Sequence, residues 1–167
     1  MKNIFLILML FCAFFASAQD GSRIVIPTSS VEQSSTAGRR VAHLAIDPRV
    51  SSYAKTKVQE NPWYKIDLED KHYISDIALN GRGLNGVYIF FSELPFVNND
   101  IWDLLEDPVN KYLYLENYRN GNAITADLLA KNILIISTSP NASLTLNDIR
   151  VNAVSYTHLT LPTTPYV

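Results

Sequence analysis

Before residue 154 the chain holds only two histidines, His43 and His72, and its single cysteine, Cys12, stands near the start. A nucleophilic triad needs a Ser or Cys, a base and an orienting acid, and neither histidine lies by a recognisable elbow such as Gly-x-Ser-x-Gly. His72, between Lys71 and Tyr73 where an alternating segment begins, reads as a solvated turn residue, and His43 reads equally well as surface. Paired carboxylates for glycoside hydrolysis would have to come from Glu60, Asp67, Glu69, Asp70, Asp76, Glu93, Asp100, Asp103, Glu106 and Asp107. Most of these fall in turns or along one helical segment, where a solvated face accounts for them. No Gly-rich phosphate loop, no His-x-x-x-His pair and no cysteine cluster is present. Nothing in these residue types requires catalysis.

The segments that would carry any site alternate as strands do. In "WYKIDL", Tyr64, Ile66 and Leu68 share one face and Trp63, Lys65 and Asp67 the other. "YISDIAL" puts Tyr73, Ile77 and Leu79 in phase, "GVYIFFS" does so for Val87, Ile89 and Phe91, and "KYLYLENY" alternates again. "NILIIS" is continuously apolar, as a central strand is. In "LTLNDIRVNA", Leu144 and Leu146 are in phase while Ile149, Val151 and Ala153 have slipped by one, which predicts a bulge at Asn147-Asp148. "VNNDIWDLLEDP" breaks the pattern: Asn99 or Asp100 can cap, Ile101, Leu104 and Leu105 share a helical face, and Pro108 stops the run, so one short helical segment is expected near 99–106. "RIVIP" reads as a short strand before a Ser/Thr-rich loop. The long stretch "AHLAIDPRVSSYAKTKVQENP" has little periodicity, and such a stretch is usually functional or braced by an ion. Seven or eight short strands with turn chemistry between them predict an all-β, antiparallel β-sandwich.

Both ends stand apart from this pattern. Lys2, an apolar run from Ile4 to Phe15 and Ala16-Ser17-Ala18 before Gln19 have the form of a secretory signal peptide over 1–18. The apolar run is shorter than the roughly 20 residues of a spanning helix, so no transmembrane segment is expected in the mature chain. Cys12 follows Phe11, a poor context for lipid attachment, and removal of the leader leaves no disulfide or thiol. The final residues, "VSYTHLTLPTTPYV" over 154–167, carry no charge and resemble the conceptual translation of a transposase-type sequencing adapter; they are set aside as non-native, the alternative being a Thr/Pro linker. On either reading the natural C-terminus is expected to be missing. One domain remains over 19–153, long enough for a real core. With 14 Lys and Arg against 16 Asp and Glu, one of the basic residues being Lys2, no nucleic-acid footprint is visible, and partners held by bulk charge are not expected.

"AIDPRVSSYAKTKVQENPWYKIDLED", then "ISDIALNGR", "VYIFFSELPF" and the closing "LTLNDIRV", resemble the coagulation factor type C (discoidin) family, near its fucose-binding lectin branch. The similarity runs from Ser30 to Val151. It implies a galactose-binding-like β-sandwich jelly roll that binds glycans through loops at one end, without catalysis. It also implies a structural Trp63, wedging loops against the sandwich. The fucose-binding branch uses a loop His, an Arg after the next strand and a second basic residue just beyond. Lys57 and Arg82 fall at the gap between the first two, with Lys where the His would stand, and "GLNG" after Arg82 is too short for the third. Some members brace the same loop with calcium; by position its ligands would be the carboxylates of Asp47 and Asp148, with backbone carbonyls near Leu44 and Arg49. Pro48 replaces the usual Gly of that turn.

The sequence thus reads as a secreted or cell-surface β-sandwich module that binds a carbohydrate or another cell-surface ligand through Tyr53, Lys57 and Arg82. Calcium is a possible cofactor, and catalysis is not expected. Two other readings stay open: the accessory domain of a larger secreted glycosidase or protease that continued past residue 153, and a protein-binding adhesion module.

Overall fold

The computed structural model describes residues 22–49 and 51–154. In chain order the elements are β1 (Ser22–Arg23), β2 (Val31–Gln33), β3 (Ala54–Lys55), β4 (Trp63–Arg82), β5 (Val87–Ser92), α1 (Ile101–Glu106), β6 (Lys111–Leu115), β7 (Ala123–Ser137) and β8 (Thr145–Ala153), with short 3-10 turns at Thr28–Ser30 and Ala42–Ala45. The expected leader, 1–18, lies outside the described residues, as does the tail after Val154.

The segments "WYKIDL" and "YISDIAL" are one strand. β4 is 20 residues long, and its partner β7, at 15 residues, extends well N-terminal of the apolar "NILIIS". The two pair antiparallel from Trp63↔Ile136 to Ala78↔Ala123, with register shifts between Asp67 and His72 and between Ile74 and Asp76. At these irregularities Glu69 and Asp127 take positive φ, 66° and 54°. The Asp67 carboxylate accepts the Glu69 N–H at 2.8 Å and supports that turn. Through this bend the other neighbour of β4 changes: β2 flanks Tyr64–Ile66, and β8 flanks Ile74–Arg82. A continuous eight-stranded sheet, β1-β8-β4-β7-β5-β6 with β2 on β4 and β3 on β8, thereby folds into two antiparallel layers.

Between the layers lies one apolar cluster in which Tyr64, Ile66, Leu68, Ile89, Phe91 and Ile133 meet Ile77, Leu79, Leu146, Ile149 and Val151, all buried. The expected inward faces of β4, β5 and β8 are therefore right, with one local exception. Ile74 is fully buried and Tyr73 only half so, because the irregularity after Ile74 changes the phase of the strand. The predicted bulge in β8 is present: Asn80 pairs with Asp148 and Gly81 with Leu146, so Asn147 is left without a partner residue. Helix α1 is capped by Asp100, whose side chain accepts the N–H groups of Trp102 and Asp103. It lays Leu104, with Ile101 and Leu105, on Phe90, Leu134 and Ile136 on the outer face of the β4-β7-β5 layer. Trp63 packs into this outer cluster beneath the Lys65 ammonium, 4.8 Å from its ring centroid. The resemblance implied a residue wedging loops against the sandwich; Trp63 packs instead on the sheet's outer face.

Gly81 sits where β4 and β8 come closest. A Cβ there would lie 1.9 Å from the Thr145 carbonyl oxygen, a backbone atom with no rotamer to retreat into. Gly81→Ala is expected to lower stability by about 3 kcal/mol, the upper end of overpacking costs. A chemical-denaturation midpoint equal to that of the wild-type chain would contradict this reading.

Candidate functional site

One end of the sandwich gathers the loops before β4, after β4, and between β7 and β8. Their backbones lock together: the Thr56 N–H donates to the Leu144 carbonyl, Gln59 exchanges bonds with Ala142, the Asn61 N–H reaches Ser139, and Thr138 donates to Gly86. The buried Thr56 hydroxyl accepts the Leu144 N–H at 2.9 Å. Gln33 Nε2 lies within bonding distance of Thr36 Oγ1 and the Arg40 and Lys55 carbonyls, and so ties two loops to β2. The Tyr64 phenol, whose pKa burial pushes far up, donates to the Ala42 carbonyl at 2.9 Å and pins the turn at Ala42–Ala45. The long irregular stretch is thus braced by hydrogen bonds.

Register builds the site. Thr145 pairs with Lys55 on one side and with Arg82 on the other. Directly opposite residues project from the same face, so Lys55, Thr145 and Arg82 form a row across three strands, with the two cations about 10 Å apart at their backbones. Around this row is a cleft of about 450 Å³ lined by Tyr53, Lys55, Arg82, Gly83, Ser143, Thr145 and Asn147. Gly83, at φ +76°, lets the chain after β4 pass so close to Ser143 that a Cβ would be 2.7 Å from its carbonyl oxygen. The bulge in β8 turns Asn147 into the lining. The Arg40 guanidinium stacks on the Tyr53 ring, 3.8 Å from its centroid, and covers one face of that ring.

Of the three residues expected to bind ligand, Tyr53 and Arg82 come together in this cleft. Lys57 is exposed and is not among the lining residues; Lys55, two residues earlier, takes the position beside Thr145. Sequence spacing pointed to Lys57 because the residue facing Arg82 is decided by a two-residue strand paired with β8, a partner some 90 positions away. Arg40, Ser143, Thr145 and Asn147 were likewise missed. Only Asn147 left a trace, the phase slip in "LTLNDIRVNA".

The residues expected to hold calcium do not fit it. Asp47 accepts the backbone N–H and the guanidinium of Arg49, and the Arg49 carbonyl accepts both the N–H and the hydroxyl of Ser52. Asp148 is paired with Arg23 at 3.2 Å and Arg150 at 3.0 Å. Guanidinium groups thus stand where a cation would have to approach, and among the described residues no three His, Cys, Asp or Glu side chains cluster as metal ligands. A hard cation needs six to eight oxygens, so no role is assigned to the ion.

No family model matches the chain, and no curated protein does. Solved structures share the fold. A fucose-binding module of Streptococcus pneumoniae superposes with a TM-score of 0.62 at 20% identity, over 80% of this chain and 99% of that one. A variant of a chitosan-binding module from a chitosanase/glucanase of Paenibacillus sp. IK-5 gives 0.61 at 15%, over 80% and 99%. A family 89 glycoside hydrolase of Clostridium perfringens gives 0.59 at 21%, over 86% of this chain and 16% of the hydrolase chain. The chain therefore shares the antiparallel β-sandwich fold of these structures. No helix among the described residues is long and apolar enough to cross a membrane.

Two outcomes follow from the bracing at Asp47. The Arg49 guanidinium and N–H hold its carboxyl at about 2, against an ordinary 3.8. A depressed value means that the stability it contributes is present above 3.8 and is lost as pH falls through about 2. Carbon-detected NMR is expected to place the Asp47 midpoint near 2 and to move it toward 3.8 in Arg49→Ala; no movement would reject the pairing. Thermal unfolding with added calcium or with a chelator is expected to give the same midpoint, and a rise with calcium would restore the ion-braced loop.

Proposed function

We propose that this chain is an exported, non-catalytic carbohydrate-binding module, akin to the fucose-binding branch of the discoidin-type domains, that takes its glycan in the loop-end cleft. The observation that carries this reading is the row Lys55–Thr145–Arg82 beside a Tyr53 ring with one face already stacked on Arg40. A pyranose offers an apolar C–H face and a rim of hydroxyls. The open face of Tyr53 suits the first, and Arg82, Lys55, Ser143, Thr145 and Asn147 can meet the second. Lys57, exposed on the same run two residues beyond Lys55, would meet a longer glycan rather than the bound sugar itself. Export rests on the leader-like 1–18.

The match to a small part of a glycoside hydrolase chain favours a second reading, in which the same cleft serves a larger secreted enzyme as its substrate-targeting domain. The two readings share the cleft and differ only in what is attached to it.

A glycan-array screen of the chain is expected to give binding to a defined set of sugars. Tyr53→Ala and Arg82→Ala should each weaken the best ligand by about tenfold or more, the effect of losing one stacking face or one forked donor, while Lys57→Ala should weaken it less. Unchanged binding in a folded Tyr53→Ala, Arg82→Ala double variant would remove the cleft from the account.

A further inference from the structure

We infer that the loop-end cleft selects glycans that carry an anionic group, a carboxylate or a sulfate, over neutral glycans; this rests on the glycan-binding reading of the same cleft. The chain as a whole carries a formal net charge of −2, but its charge is segregated. Lys55 and Arg82 line the cleft, Arg40 stacks on its Tyr53, Lys57 is exposed two residues beyond Lys55, and no carboxylate is in the lining. Among the described residues none of these four has an ion-pair partner, whereas Arg23, Arg49, Lys71, Lys131 and Arg150, all outside the lining, are each paired with an Asp or Glu; Arg39, Lys65, Lys111 and Arg119 lack an ion-pair partner too but do not line the cleft. At the opposite end, the bend of β4 carries Asp67, Glu69 and Asp70, all exposed. A cationic recess on an anionic protein focuses the field on itself and draws anions to it.

The hydrogen-bonding inventory points the same way. Guanidinium and ammonium groups donate and never accept, and the remaining polar side chains of the lining are three that can do either and the Tyr53 phenol. A neutral sugar presents hydroxyl donors that need acceptors, and the cleft has no dedicated acceptor side chain for them. A carboxylate or sulfate presents acceptors only. It matches the fork of Arg82 in a two-point, charge-assisted contact, with Lys55 across Thr145 as the second cation. A glucosamine polymer such as chitosan brings ammonium groups, which this cleft repels.

The test compares one oligosaccharide core in four forms, with a neutral end, a terminal fucose, a terminal carboxylated sugar and a terminal sulfate, together with a glucosamine oligomer. Binding of the full chain is measured by calorimetry at low and at raised salt. The expected result is that the carboxylated or the sulfated form binds about tenfold or more tighter than the neutral and fucosylated forms; the stronger of the two identifies the anion. This preference should shrink as salt rises, and the glucosamine oligomer should not bind. Lys55→Gln with Arg82→Gln should abolish the preference in a chain whose circular dichroism is unchanged, and Lys111→Gln, which removes a cation from β6, should retain it. Equal or tighter binding of the neutral or fucosylated form overturns this inference and leaves the glycan-binding reading standing. Equal binding of non-sugar polyanions overturns it in favour of bulk attraction. Binding to none of the forms removes both readings.

Discussion

The antiparallel pairing of β4 with β7 ties the two layers of the sandwich together. These two strands alone run through both layers, and every other strand attaches to them or to a strand that does. Their bend, set by register shifts and by left-handed backbone at Glu69 and Asp127, decides where one layer stops and the other begins. A left-handed Glu or Asp costs on the order of 1 kcal/mol per residue. That cost is offset by the burial the bend permits, since Tyr64 and Ile66 before it and Ile77 and Leu79 after it meet in a single core.

The same strand delivers the site. Because β4 emerges from the second layer at Arg82, its last residue stands beside Thr145, and β3 adds Lys55 on the other flank. Gly81 makes this possible by letting the two backbones approach to a distance no other residue permits. The cleft is thus fixed by sheet register on its floor and by cross-linked loops on its rim. Rigid placement of this kind lowers the ordering cost that a flexible loop site would incur on binding. Shape alone does not choose a ligand among folds of this class. Here the floor row supplies two cations without counter-ions among the described residues.

Much of the architecture was legible in the sequence because strands with one buried face write it in alternation: Tyr64, Ile66, Leu68, Val87, Ile89 and Phe91 all turn inward as their spacing predicts. The Asp100 cap and the bulge beside Asn147 were legible for the same local reason. Long-range register was not. That β4 continues through Asp67–His72, that β7 begins at Ala123, and that Lys55 rather than Lys57 stands across Thr145 from Arg82 are each settled by pairing between distant segments, which leaves no periodic mark. The ion pairing of the expected calcium ligands was hidden for a related reason. Asp47 and Asp148 stand in the expected order, but the arginines that neutralise them, Arg49, Arg23 and Arg150, are recognisable as partners only once the chain is folded.

Ligand entry at the row Lys55–Thr145–Arg82 can be read by amide chemical-shift mapping of the isotopically labelled chain, titrated with its best-binding glycan. The perturbed amides are expected to cluster at Tyr53–Lys55, Arg82–Gly83 and Ser143–Asn147. Perturbations confined instead to the exposed Tyr112 and Tyr114 of β6, or to the acidic bend at Asp67–Lys71, would contradict it and place the binding surface elsewhere on the sandwich.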